Sequence, residues 1–426
     1  MTRLPTNLHR LAAIACLLAA ASAPARAADA ALQVLHWWTS ASERRAADVL
    51  ARRLADEGIE WRDAAIPGGA GLGAAKVLRS RVLAQNAPEV NQIIGVSIRE
   101  WAEMGLLLEL DAVAANGQWA NALFPTIHTL VRQRGHVVAA PLGIHRINTL
   151  HFNRAVFSRL GLAPPATWAE FEQIAPRLQA AGVQPLAQSS EPWQVATLFE
   201  NLVLADGGAA LYHELFVRHS VQALADPRLA QALLRLRGLK RWMGRPVQEQ
   251  PWPELVRQLA RGEAAMLVMG DWAKGELSDP RAGAADTDFG CITAPGTARY
   301  HLYSVDTLTM LAGDYQHSAA QATLARLIAS PAVQAEYNLV KGSVTVRRDA
   351  DPARMDICAR QSWTAFGQAG AQQVPSLVHR MATDEASKDA IVAEVHRFFS
   401  NDEATPADAQ RRLAAVFRAL RSRTPQ

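Results

Sequence analysis

The sequence predicts an α/β protein built of two domains, and three observations carry that reading. Short apolar runs alternate with amphipathic helical stretches along almost the whole chain. Of the 426 residues, about 400 remain after an N-terminal leader, more than one hydrophobic core accommodates. No Pro/Gly/Ser linker and no fixed-period repeat divides them. Two lobes that share several chain crossings therefore fit better than a string of independent units.

Residues 1–27 read as a cleavable secretory signal. Arg3 and Arg10 precede the apolar stretch Leu11 to Ala21, and Ala25-Arg26-Ala27 has the small-x-small form of a cleavage site. The stretch is roughly half the ~20 residues needed to span a bilayer. Cys16 lies inside it, but Ala13 occupies the place where a lipobox carries Leu, which favours release over a lipid anchor. Losing Arg3, Arg10 and Arg26 takes the formal net charge from +4 to +1. A near-neutral mature chain has no basic footprint for nucleic acid or an anionic membrane. The expected location is the periplasm.

The strand Leu32–Leu35 opens the mature chain, followed by a helix over 41–57 with Ser40 or Ser42 as its cap. Ile59–Ile66 is the second strand, 73–84 a helix, Val90–Ile94 the third strand, and Ile98–Met104 a short helix. Val137–Ala140 and Asn148–Asn153 flank Pro141-Leu142-Gly143, a candidate crossing between lobes. Thr167 and Glu170 form a capping box for the next helix. Residues 193–260 are mainly helical, Ala264–Met269 is a buried strand, and Phe289–Ala294 and Ser304–Leu311 are further strands. Helices over Ser318–Ile328 and Pro331–Leu339 and a helical tail to about Arg421 complete the chain.

The adjacent pair Trp37-Trp38 at the end of the first strand is the strongest candidate for ligand contact. Sugar rings carry C–H faces that pack on aromatic planes and hydroxyls that need hydrogen-bond partners. Neighbouring strand residues face opposite ways, so one core and one surface tryptophan is the competing reading. Trp272 leaves the strand Ala264–Met269 at a helix start, with Asp271 before it as a possible N-cap. Asp306 puts a carboxylate in an apolar strand, where it either meets vicinal hydroxyls or caps the strand end. Lys341 and His379 lie in turn-like settings in which such residues are more often surface groups. The run Gly68 to Ala74 fits a loose dinucleotide fingerprint but lacks the acidic residue that should follow, so a flexible βα turn is the simpler reading.

Signatures of catalysis are missing: the sequence has no G-x-S-x-G, no H-E-x-x-H and no P-loop lysine-serine pair. Neither a metal site nor a cofactor is expected, and the chain reads as no enzyme; a secreted carbohydrate-active enzyme is a distant alternative. The mature chain keeps Cys291 and Cys358 alone, which in an oxidising compartment read as one disulfide.

These strings occur in an order that resembles a known family. Leu35-His36-Trp37-Trp38-Thr39-Ser40, Gln92-Ile93, Glu100-Trp101-Ala102, Pro192-Trp193-Gln194, Met269-Gly270-Asp271-Trp272, Lys341-Gly342-Ser343 and His379-Arg380-Met381-Ala382 look like the family 1 extracellular solute-binding proteins, nearest the glucose/mannose-binding proteins of bacterial ABC importers. The resemblance implies a two-lobed periplasmic-binding-protein fold with a hinge of crossing strands near Ala140–Arg146, Cys291–Ala294 and Ile328–Ala332, and a ligand cleft between the lobes. The expected N-terminal lobe is 28–142 plus 295–328, and the C-terminal lobe 143–294 plus 329–426. Trp37, Trp38 and Trp272 would stack on a sugar, while Glu43, Gln92, Asp306, Lys341 and His379 would bond its hydroxyls. It also implies pairing of Cys291 with Cys358, a monomer, and delivery of a glucose-like monosaccharide or small oligosaccharide to a membrane permease. A sugar-sensing subunit of a receptor histidine kinase is the alternative role. Ile94, Gly143, Thr149 and Ser304 depart from the glucose-binder pattern, where Lys, Asn, Trp and Asn are usual.

Overall fold

Strand and helix patterns along the chain assemble into two sheets, each buried against helices. The computed structural model describes residues 30–68, 71–278, 288–313 and 316–421; the leader with Cys16, and Gly69-Ala70 of the glycine run, lie outside them. The strands are β1 (Ala30–His36), β2 (Ile59–Ala65), β3 (Val90–Gln92), β4 (Arg132–Gln133), β5 (His136–Val137), β6 (Ala140–Arg146), β7 (Thr149–Asn153), β8 (Gln184–Ala187), β9 (Ala264–Val268), β10 (Phe289–Thr293), β11 (His301–Met310) and β12 (Gln373–Pro375).

The first sheet has the order β12-β11-β3-β1-β2, with β6 also paired to β11. β1 runs parallel to β2 and β3, whereas β11 is antiparallel to β3 and β6. The second sheet has the order β10-β7-β9-β8, and β4 and β5 form a separate small pair. All residues of β6, β7 and β9 are buried, as expected of strands covered on both faces.

Two large apolar cores follow from this arrangement. Leu32, Val34, Ile98, Leu142 and Leu308 belong to the first, and Leu150, Phe199, Leu233 and Met266 to the second. The chain crosses at β6–β7, where Ile144 packs in the first core and Ile147 in the second, and returns between Ala294 and Val305.

The third crossing is not at Ile328–Ala332. Ile328, Ala329, Val333, Tyr337, Val344 and Val346 are all buried in the first core, because helix Pro331–Lys341 packs along helix Ala41–Ala55. The chain leaves that lobe only at β12, between Phe366 in the first core and Val374 in the second. The segment expected to begin the last stretch of the C-terminal lobe at residue 329 therefore belongs structurally to the N-terminal one.

Local signals set the helix starts. Ser40 caps helix Ala41–Ala55 in a capping box with Glu43, and Thr167 does the same with Glu170 for helix Trp168–Ala180. Such caps stabilise a helix by about 1 kcal/mol. Cys291 of β10 is bonded to Cys358 of helix Ile357–Ala369, with Cα atoms 6.0 Å apart. Because Ala359 and Phe366 of that helix pack in the first core, the disulfide ties the two lobes together beside the crossing strands. No helix among the described residues is long and apolar enough to cross a membrane.

Candidate functional site

The C-terminal ends of β1, β3 and β9, the middle of β11 and the loop after β12 converge on a cavity of about 470 Å³ between the lobes. Ligands of open α/β sheets bind outside such strand ends, and the volume lies in the ordinary range for small-molecule sites.

Trp37, Glu43, Trp272, Asp306, Lys341 and His379 all line this cavity. The two remaining candidates do not. Trp38 is fully buried in the first core, its ring stacked on His36 at 4.9 Å and 6.0 Å from that of Tyr337. β1 ends at His36, and packing separates the pair just beyond it: Trp37 lies against Gly71 at the cleft and Trp38 faces Tyr337 in the interior. Gln92 is spent on internal bonds, its Nε2 donating to Asp306 Oδ1 at 3.1 Å and its Oε1 accepting from the Trp37 amide at 3.2 Å. It holds two cavity residues in place rather than lining the space itself.

Trp37 is positioned from outside the cavity. Gly71, at φ +73°, lies against its indole, and a Cβ there would come within 2.6 Å of Cε3. Only glycine combines that backbone with such an approach. The Arg380 guanidinium sits over the same ring, 5.2 Å from its centroid.

Glu43 has two duties. Its Oε2 accepts from the amides of Thr39 and Ser40, closing the capping box, and its Oε1 accepts from Lys341 Nζ at 3.2 Å. Both side chains are nearly buried, so this is a charge pair partly removed from water, with lone pairs and N–H groups left for a polar ligand.

Asp306 sits at an irregularity in the β11–β6 register, which re-aims a side chain that would otherwise alternate regularly. Its Oδ2 meets His145 Nε2 at 3.2 Å, while His145 Nδ1 meets Asp271 Oδ1 at 2.6 Å. With a carboxylate on each nitrogen, the ring is a double donor and hence an imidazolium. Burial pulls His145 down, but Asp271 and the two hydrogen bonds outweigh it and raise its pKa above the usual value. Burial pushes Asp306 up, yet His145, Lys341 and Gln92 bring it down to about 2. Asp271, at the N-cap position of helix Trp272–Leu277, makes no side-chain cap; it accepts from His145 and from the Arg146 amide.

His379 is neutral. Burial, then the charges of His145 and Arg380, lowers it to about 3. Its Nδ1 contacts Ser376 Oγ at 3.0 Å, and that hydroxyl donates to the buried Glu200. Burial pushes Glu200 up to about 7, so the chain of bonds follows its charge: in the ionised form the serine proton is committed to it, His379 carries its proton on Nδ1, and Nε2 keeps a lone pair. The His379 ring lies 5.1 Å from that of Trp272.

Part of the wall lies outside the candidates drawn from the sequence. His145, Glu191, Trp193 and Trp252 line the cavity as well. Trp193 was visible within a family-like string, and Trp252 between Pro251 and Pro253, an aromatic fixed at a helix start. Two of the four departures, Ile94 and Ser304, fall in the cavity wall. The others do not: a Cβ on Gly143 would strike Asn338 Oδ1 at 2.2 Å, and the Thr149 hydroxyl donates to the Arg146 carbonyl. Among the described residues the one grouping with metal-ligand spacing, Glu109, Asp111 and His136, is exposed and lies outside the cavity.

The family model of the bacterial extracellular solute-binding proteins matches residues 40–335. A probable sugar-binding periplasmic protein of Brucella suis is 34% identical over 423 residues, covering 97% of this chain and 100% of the relative. A protein of the same description from Rhizobium meliloti is 34% identical, with 96% and 98% covered. Among solved structures, the bacterial solute receptor AcbH, described as preferring β-D-galactopyranose, superposes with a TM-score of 0.78 at 16% identity, covering 92% of this chain and 99% of that one. A chitin oligosaccharide binding protein gives 0.78 at 18% identity, with 92% and 100% covered.

Proposed function

Because the chain belongs to the bacterial extracellular solute-binding proteins, we propose that it is the periplasmic sugar-binding component of an ABC-type importer. It takes a glucose-like monosaccharide or a small oligosaccharide and hands it to the permease. The observation that carries this reading is the pairing of indole walls with ionised hydrogen-bonding groups in one interlobe cavity. Trp37 enters from the first lobe, and Trp193, Trp252 and Trp272 from the second. The names of the Brucella and Rhizobium relatives support the same ligand class.

The physical sequence of binding follows from the geometry. The C–H face of a pyranose packs on indole, displacing water from apolar surface. Glu43 and Asp306 accept from its hydroxyls, Lys341 donates, and His379 Nε2 accepts. Since these groups belong to both lobes, a bound sugar contacts both and favours the closed arrangement, in which the lobes rotate about the crossing strands. Replacing a lysine donor by Ile94 removes a hydrogen-bonding position from the wall, and replacing an amide by Ser304 leaves a shorter side chain with a single hydroxyl there. The preferred sugar therefore has fewer hydroxyls demanding partners at that side, or fills it with apolar surface.

A thermal-shift screen of monosaccharides and disaccharides tests this. A sugar at one hundred times its Kd adds about 2.7 kcal/mol to the folded state and raises Tm. A panel in which no sugar shifts Tm or gives calorimetric heat contradicts the proposal.

A further inference from the structure

Resting on the sugar-binding reading, we propose that Glu191 makes the cavity select against acidic sugars and accept neutral or amino sugars. Three carboxylates line the cavity, those of Glu43, Glu191 and Asp306. Two have a cation at hand: Lys341 lies 3.2 Å from Glu43, and His145 lies 3.2 Å from Asp306. That imidazolium is also shared with Asp271 at 2.6 Å, so it neutralises less than one full charge of the cavity wall. His379 contributes no positive charge in its neutral form.

Glu191 is different. Its hydrogen bonds come from two neutral donors, Trp193 Nε1 at 2.8 Å and Gln194 Nε2 at 2.6 Å, and it enters no ion pair among the described residues. Both bonds end on Oε2, which leaves Oε1 for a ligand. The nearby cation Arg380 does not offset this, because it is held against Trp37, outside the lining, and pairs with Glu385 at 3.7 Å. Four carboxylates, counting Asp271, thus face two cations. A uronate would add a further negative charge to a site already in excess, and partial burial weakens the screening that water and salt provide. A hydroxyl or an ammonium, by contrast, supplies the donor that Oε1 lacks.

The test is isothermal titration at pH 7 and low salt with D-glucose, D-glucosamine and D-glucuronate, and with the corresponding galacto series, on the wild type and Glu191→Gln. The glutamine keeps an acceptor for Trp193, and circular dichroism checks that the variant is folded. The uronate is expected to bind at least tenfold more weakly than its parent hexose, and in Glu191→Gln that ratio shrinks at least threefold. A uronate bound within tenfold of its parent, or a ratio unchanged by the substitution, overturns the role of Glu191 while leaving sugar binding intact. If no hexose binds, in these series or in the wider sugar panel, the functional reading itself falls and the selectivity with it.

Discussion

His145 Nδ1 lies 2.6 Å from the Asp271 carboxylate, which joins the crossing strand β6 to the first turn of a helix in the second lobe. The other ring nitrogen reaches Asp306 of β11, so one imidazolium holds together three segments that meet behind the cavity. Charge at His145 is therefore a condition of the site's geometry, and it sets how the protein responds to pH.

The sign of that response differs on the two sides of neutrality. His145 has a raised folded pKa, so its contribution is complete below about 6.5 and is lost as pH rises through the folded value. His379 is lowered to about 3, so the unfolded chain binds a proton that the folded chain refuses between roughly 6.5 and 3, and stability falls as pH drops through that window. Asp306, brought down to about 2, loses its contribution only as pH falls from about 3.9 toward 2. Thermal melts from pH 3 to 9 should show stability falling on both flanks, with His379→Gln flattening the limb between pH 4 and 6.5 and His145→Gln the alkaline limb. Unchanged limbs in these variants would remove the assignments.

Trp37 and Trp38 should separate by phenotype. Trp38→Ala opens a cavity in a fully packed core and should cost about 3–5 kcal/mol of stability. Trp37→Ala should cost far less in urea denaturation but weaken sugar binding at least tenfold, about 1.4 kcal/mol. Equal stability losses in the two variants would contradict their opposite orientations.

Lys341 and Glu43 should behave as a coupled pair. Lys341→Met leaves a buried carboxylate without its cation, which should destabilise by about 3–5 kcal/mol. Adding Glu43→Gln should recover part of that loss, and a double-mutant cycle in urea measures the coupling. Sugar affinity should fall in both, because each removes a group from the cavity wall.

The interlobe disulfide closes a loop with a sequence separation of 67 residues. The chain-entropy relation assigns such a loop about 4 kcal/mol of stabilisation. Cys291→Ser with Cys358→Ser should lower Tm accordingly while leaving sugar affinity within a few-fold, as neither cysteine lines the cavity.

Long periodic elements and capping boxes were legible in the sequence, because Ser40–Glu43 and Thr167–Glu170 are local signals. What escaped depends on distant packing. The facing of Trp37 against Trp38 is decided by Tyr337 and Gly71, and neither could be aligned with the pair from spacing alone. The third crossing was misplaced because helix Pro331–Lys341 packs on helix Ala41–Ala55, far away in sequence, and because β12 has only three residues. Gln92 has the chemistry of a sugar ligand, but Asp306 and the Trp37 amide claim both of its ends. Trp252 carries no periodic signal; only the neighbouring prolines mark it as held at a helix start.

Whether the indole-walled interlobe cavity grips a sugar ring is decided by isothermal titration of the wild type and Trp272→Ala with the sugar that raises Tm most in the panel. The wild type should bind 1:1, and Trp272→Ala, still folded, should lose at least tenfold in affinity. Identical affinity in the two proteins would contradict such a grip.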